Sequence, residues 1–144
     1  MKVFLDTNVL VAAWVADHEH HGRALPLVQT VHDGKAEGFV SGHSLLETHA
    51  ILTRLPRAPR ITPVQAATLI ADNVVKHFSV VALTGKEYGE LSLKLGQSGI
   101  VGGKSYDALH LACAEKSEAD RIYTFNVREF RELAGHLANK ITAP

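Results

Sequence analysis

One cysteine, one tryptophan and one methionine in 144 residues, with no excess of charge of either sign, set the first limits on this chain. A lone Cys113 excludes an internal disulfide and fits a reducing compartment. Fifteen basic residues balance fifteen acidic ones, so no global positive field gathers nucleic acid, and any such binding must come from a local patch. No apolar run reaches the roughly 18 residues of a membrane-spanning helix. Met1 runs straight into strand-like residues with no leader pattern, so a cytoplasmic protein without membrane contact is expected. What is present is 46% hydrophobic residues, enough for a core at a length of about one domain. Residues 1–144 read as a single domain.

The chain opens MKVFLDTNVLVAAW. Val3, Phe4 and Leu5 form a short apolar run, Asp6-Thr7-Asn8 follows without a spacer, and Val9 to Trp14 have helical character. That order reads as a buried strand ending on a carboxylate, a turn and a helix. A continuous apolar strand feeding a helix points to a parallel sheet covered on both faces. A helix is expected over 20–32, with Pro26 tolerable only in its first turn. A strand over 38–41 leads into a helix over 43–52. Residues 54–63, RLPRAPRITP, read as an extended loop. Thr62 at the cap and Pro63 at the first helical position start a helix to about residue 75. A strand over 78–83 precedes a helix that Thr84 and Glu87 open as a capping box. A glycine loop over 96–103, a helix over 105–116, a strand over 121–124, a turn with a short helix over 125–133 and an edge strand at 140–141 complete the pattern. The expected fold is a three-layer α/β/α sandwich around a small parallel sheet.

Four element boundaries carry a carboxylate or carboxamide. Asp6 ends the first strand, and Glu47 lies one turn into the helix after the second. Asp107 lies in the first turn of the helix after the glycine loop, and Asn126 just beyond the strand over 121–124. In a parallel sheet, strand ends and the helix starts that follow them share one edge, where chemistry gathers. The four can therefore converge. Converging carboxylates repel unless a cation joins them, and hard oxygen donors suit Mg²⁺ or Mn²⁺. Such a cation polarises a phosphoryl oxygen and acidifies bound water, the equipment for phosphodiester hydrolysis. Each residue also has a plain structural reading. Asp6 can be a helix cap, Glu47 an ion-pair partner of Arg54, Asp107 a complement to the helix dipole and Asn126 a turn residue. Lys104, one turn from Asp107, can steady that carboxylate, touch phosphate, or be a solvated lysine.

The motifs FLDTNVLVA, SGHSLLETHAIL, KSYDALHLACA and YTFNVREF occur in this order. Together they resemble the PIN-domain ribonucleases, and specifically the VapC-type toxins of bacterial and archaeal toxin–antitoxin pairs, over essentially the whole chain. Asp6, Glu47 and Asp107 match that family's three principal acidic positions. Asn126 falls where many members have a fourth Asp; its neutral side chain removes one charge and favours a one-metal resting site. Thr7 and Asn8 match polar residues of the first turn, and Thr124 matches a Thr or Ser that supports Asp6 or a metal-bound water. The resemblance implies an endoribonuclease that uses a metal-activated water and leaves 5′-phosphate and 3′-hydroxyl ends. It also implies a cognate antitoxin and a homodimer. The alternative that Asn126 keeps open is a degenerate PIN domain that binds RNA or protein without cutting. A haloacid-dehalogenase-type phosphatase is disfavoured because Asn8 replaces the second Asp of its D-x-D motif, and a phospho-receiver because Asp6 stands alone.

The remaining polar residues carry weaker signals. Arg54, Arg57 and Arg60 are the local candidates for RNA phosphate contacts, or else a solvated linker. His18, His20 and His21 lack a metal-ligand spacing and read as a solvated stretch. His43, one turn from Glu47, can reach the rim of the acidic site. His49 and His110 read as packed or hydrogen-bonded core histidines, and Cys113 as a small buried side chain.

Overall fold

Alternating side chains of the first strand define both halves of the core. The computed structural model describes all residues, Met1–Pro144. Strand β1 (Lys2–Leu5) sends Val3 and Leu5 to one face of the sheet and Phe4 to the other, all three fully buried, as the two-residue period of a strand requires. Around it lie β2 (Glu37–Ser41), β3 (Phe78–Val81), β4 (Arg121–Tyr123) and β5 (Ile141–Thr142), all parallel, in the order β3-β2-β1-β4-β5. Seven helices cover the two faces: α1 (Thr7–Trp14), α2 (His21–His32), α3 (Gly42–Arg54), α4 (Pro63–Ile70), α5 (Gly85–Gln97), α6 (Lys104–Lys116) and α7 (Val127–Ala134). The expected α/β/α sandwich is present. One core layer joins Val3 and Leu5 to Leu10, Val28, Ile70 and Phe78, and the other joins Phe4 and Phe39 to Leu109, Ile122 and Phe130.

The strand order positions the site. The chain steps from β1 to β2 to β3, then returns to β4 on the far side of β1. The crevice at the carboxyl ends of β1 and β4 is thus the switch point of the sheet, where open α/β folds bind ligands.

Several boundaries differ from expectation. Pro26 lies inside α2 rather than in its first turn. The carbonyl that loses its partner belongs to Gly22, and both residues are exposed, so water replaces the lost bond. The helix begun at Pro63 loosens after Ile70 into a wider turn over Ala71–Val75, where the Lys76 amide donates to Ala71 O at 3.3 Å. The third strand stops at Val81. The capping boxes at Thr62–Gln65 and Thr84–Glu87 are complete. Gly38 in β2 is required by close approach: a Cβ there would lie 2.5 Å from Val31 Cγ1 and 2.6 Å from Phe78 Cδ1.

Candidate active site

Asp6 shows how one residue serves two purposes. It caps α1, its Oδ1 accepting the Thr7 amide at 2.7 Å, while Oδ2 accepts the Thr124 hydroxyl from the end of β4 at 2.8 Å. Thr124 is itself fixed, since its Oγ1 accepts from the Asn126 amide at 3.0 Å and from Asn8 Nδ2 at 3.2 Å. Asn8 Oδ1 accepts the Phe125 amide at 3.2 Å, which ties the loop after β4 to the first turn of α1. Both carboxylate oxygens of Asp6 are therefore aimed by backbone and side-chain donors at the switch point.

The four expected residues meet there. Asp6, Glu47, Asp107 and Asn126 line one cavity of about 170 Å³, together with Asn8, Val11, His18 and Ile51. Ser41, at the end of β2, caps α3 by accepting the Ser44 amide at 3.0 Å and so sets the angle at which Glu47 projects. Glu47 Oε2 accepts from His43 Nε2 at 3.0 Å, so His43 does reach the rim. Thr7 supports the site from beneath by donating to Ser44 Oγ at 3.1 Å.

The electrostatics reflect crowding of like charge. Burial, reinforced by the Asp107 and Glu47 charges, pushes the Asp6 carboxyl up to about 7 against the pull of its Thr124 and Thr7 hydrogen bonds. Asp107 is also raised, by burial first and then by Glu47 and Glu129, while Lys104 draws it down. Lys104 stands off the cavity, half-exposed and 3.9 Å from Glu132. Three hard carboxylates around a small cavity, with an amide oxygen beside them, fit a divalent cation.

The structure adds residues that spacing does not reveal. His110 lies at the heart of the site, 1% exposed, with Nδ1 hydrogen-bonded to Ser41 Oγ at 2.9 Å. Its Nε2 stands 3.8 Å from Asp6 Oδ1 and 3.9 Å from Glu47 Oε1. Burial pushes its imidazolium down to about 4, so the ring is neutral near pH 7. The one available signal is that His110 follows Asp107 by three residues on the same helix and shares its face. The histidines after α1 are not a solvated stretch. His18 lines the acidic cavity and its Nδ1 accepts the His20 amide at 3.1 Å; His20 stacks on Phe125 at 4.2 Å; His21 Nδ1 donates to Ala12 O at 3.0 Å. Of the three arginines, Arg54 lines a depression that shares Glu47 and Ile51 with the cavity. Arg57 lies 4.0 Å from Asp17, and Arg60 is exposed in the loop.

The PIN domain sequence profile matches residues 3–136. Ribonuclease VapC40 from Mycobacterium tuberculosis (strain ATCC 25618 / H37Rv) is 33% identical over 124 residues, covering 85% of both chains. The crystal structure of M. tuberculosis VapC20, a sarcin–ricin loop cleaving toxin, is similar with a TM-score of 0.67 at 20% identity, over 88% of this chain and 92% of that one. VapBC2 from Rickettsia felis, bound to a DNA fragment from its promoter, gives a TM-score of 0.60 at 22% identity over 92% of both chains. The solved structures share the fold, the profile spans all four cavity residues, and the VapC40 identity covers most of both chains: the chain belongs to the PIN-domain family, within its VapC group.

Proposed function

We propose that this chain is a metal-dependent endoribonuclease, the toxin of a toxin–antitoxin pair, acting in the cytoplasm. The observation that carries the reading is the meeting of Asp6, Glu47 and Asp107 with Asn126 around one cavity at the switch point. Asp6, Glu47 and Asp107 would hold Mg²⁺ or Mn²⁺, with Asn126 assisting. When bound, such a cation supplies Lewis acidity toward a phosphoryl oxygen and a water acidic enough to attack phosphorus.

The chain's own residues prepare for this. Thr124 and the Thr7 amide keep both Asp6 oxygens directed, and Asn8 holds Thr124. His43 orients Glu47. Lys104 favours the ionised form of Asp107. RNA phosphates would lie along Arg54 and Arg57, beside the cavity, with Arg60 further out in the same loop. The VapC40 relative is named a ribonuclease, which supports RNA as substrate. The VapBC2 neighbour supports an antitoxin partner. A homodimer is the remaining part of the reading, and membership of the VapC group supports it.

The test is cleavage of a mixed RNA pool by purified protein with Mg²⁺, Mn²⁺ or EDTA, comparing wild type with Asp107→Asn. Cleavage that needs metal and is lost in the folded variant is expected. Equal cleavage by both proteins would remove the assigned site, and no cleavage by metal-loaded wild type would favour a PIN domain that binds without cutting.

A further inference from the structure

The geometry points to a transition-metal site of the zinc type formed by His43, Glu47 and His110, distinct in donor chemistry from the carboxylate set of Asp6, Glu47 and Asp107 that it adjoins. His43 and Glu47 are four residues apart on α3, so their side chains meet on one face, and the third ligand comes from α6. Their donor atoms, two imidazole nitrogens and a carboxylate oxygen, all lie within 4.8 Å of one another. Bonds to zinc of about 2.0–2.1 Å place tetrahedral ligands about 3.4 Å apart. Closure therefore needs roughly 1 Å of movement, which the partly exposed His43 and Glu47 side chains can make.

His110 carries the argument. Its ring is buried and held through Nδ1 by Ser41 Oγ, the kind of outer hydrogen bond that orients metal-binding histidines. Its Nε2 makes no hydrogen bond and points between two carboxylate oxygens at 3.8 and 3.9 Å. That nitrogen is thus free to serve as a donor, and a cation coordinated by Nε2 and Glu47 would engage it. The His43 ring lies flat on the exposed Tyr106 ring, at 4.7 Å with an interplanar angle of 1°. Two imidazoles and a carboxylate are the donors of zinc sites that keep an open position. Imidazole nitrogen favours Zn²⁺, Co²⁺ or Ni²⁺, whereas Mg²⁺ prefers oxygen. Neither Asp107 nor Asn126 belongs to this set.

The site stands without the nuclease reading, but its consequence rests on that reading, because Glu47 is shared. Zinc bound to His43 and His110 draws Glu47 away from the oxygen cavity and inhibits Mg²⁺-supported cleavage.

The experiment is a Zn²⁺ titration against a chromophoric chelator, with Co²⁺ visible absorption as a direct report of nitrogen ligation. It compares wild type, His43→Gln and Asp107→Asn, without RNA. Wild type and Asp107→Asn are expected to bind one Zn²⁺ with equal affinity and to give the same cobalt spectrum, and His43→Gln to bind at least tenfold more weakly, about the loss expected for a disrupted ligand set. Unchanged zinc affinity in His43→Gln, or an equal loss in Asp107→Asn, overturns the site. Zinc binding of the expected pattern in a protein that cuts no RNA overturns only the nuclease reading.

Discussion

Replacing Asp6 with Asn should make the metal-free protein more stable at pH 8 and less stable at pH 4. Folding moves this carboxyl from an ordinary 3.8 to about 7. At about 1.4 kcal/mol for each tenfold change in proton affinity, the ionised group costs the folded state on the order of 4 kcal/mol above pH 7. The sign follows from proton binding. Between about pH 4 and 7 the folded chain holds this proton and the unfolded chain does not, so stability falls as pH rises through that window and levels off above it. Asparagine removes the charge. It keeps the bond from the Thr7 amide but cannot accept the Thr124 hydroxyl at the second position, a loss of about 1–2 kcal/mol. The net gain at pH 8 is about 2 kcal/mol, or about 7 °C in Tm at this chain length. At pH 4 only the loss remains. His110, pushed down to about 4, weakens both proteins as pH falls below about 6.5. Saturating Mn²⁺ should stabilise wild type by mass action and leave Asp6→Asn unmoved. Thermal melts across pH 4–8 with EDTA decide the matter: an Asp6→Asn protein less stable than wild type at pH 8 refutes the reasoning.

Other perturbations separate the supports of the site from those of the fold. Thr124→Val removes the donor to Asp6 and the acceptor for Asn8 and the Asn126 amide. It should cost about 1–3 kcal/mol in urea unfolding and raise the Asp6 pKa further, as read by carboxyl NMR; an unchanged Asp6 titration contradicts this. Gly38→Ala drives a methyl into Val31 and Phe78 and should lose about 1–3 kcal/mol by overpacking, while a neutral melt shows that the β2 contact yields. Asn126→Asp restores a fourth charge to the cavity and should tighten Mn²⁺ binding by about tenfold in calorimetry, as ligand charge count tunes such sites. Unaltered affinity would place that side chain outside the coordination sphere.

What the sequence revealed, and what it hid, follow from how far each feature depends on neighbours. Val3, Phe4 and Leu5 declare a strand because three consecutive apolar residues must be buried on both faces, and a strand so buried belongs to a covered parallel sheet. Once the sheet is parallel, Asp6, Glu47, Asp107 and Asn126 fall on one edge by topology alone. The caps at Thr62 and Thr84 are equally local, since each needs only the residue three positions on. Pro26 was hidden because its tolerance depends on whether the Gly22 carbonyl faces water. His18 was hidden because nothing in DHEHH indicates that the loop after the short α1 folds over the strand ends. His110 reads as a core histidine, and it is one; that its free nitrogen faces Glu47 and Asp6 depends on the rotation of α6 against α3, which no single helix encodes. The two readings of Asp6, helix cap and site carboxylate, were never alternatives, because the cap bond uses one oxygen and leaves the other for Thr124.

The most direct measurement is single-turnover cleavage of an RNA pool against Mn²⁺ concentration, with wild type and Asp6→Asn prepared together and both shown to be folded by melting. Wild type is expected to cut in proportion to bound metal, and the Asp6→Asn protein to cut nothing at any concentration despite its higher metal-free stability. Cleavage by Asp6→Asn at the wild-type rate would contradict the claim that these converging carboxylates hold the metal that cuts RNA.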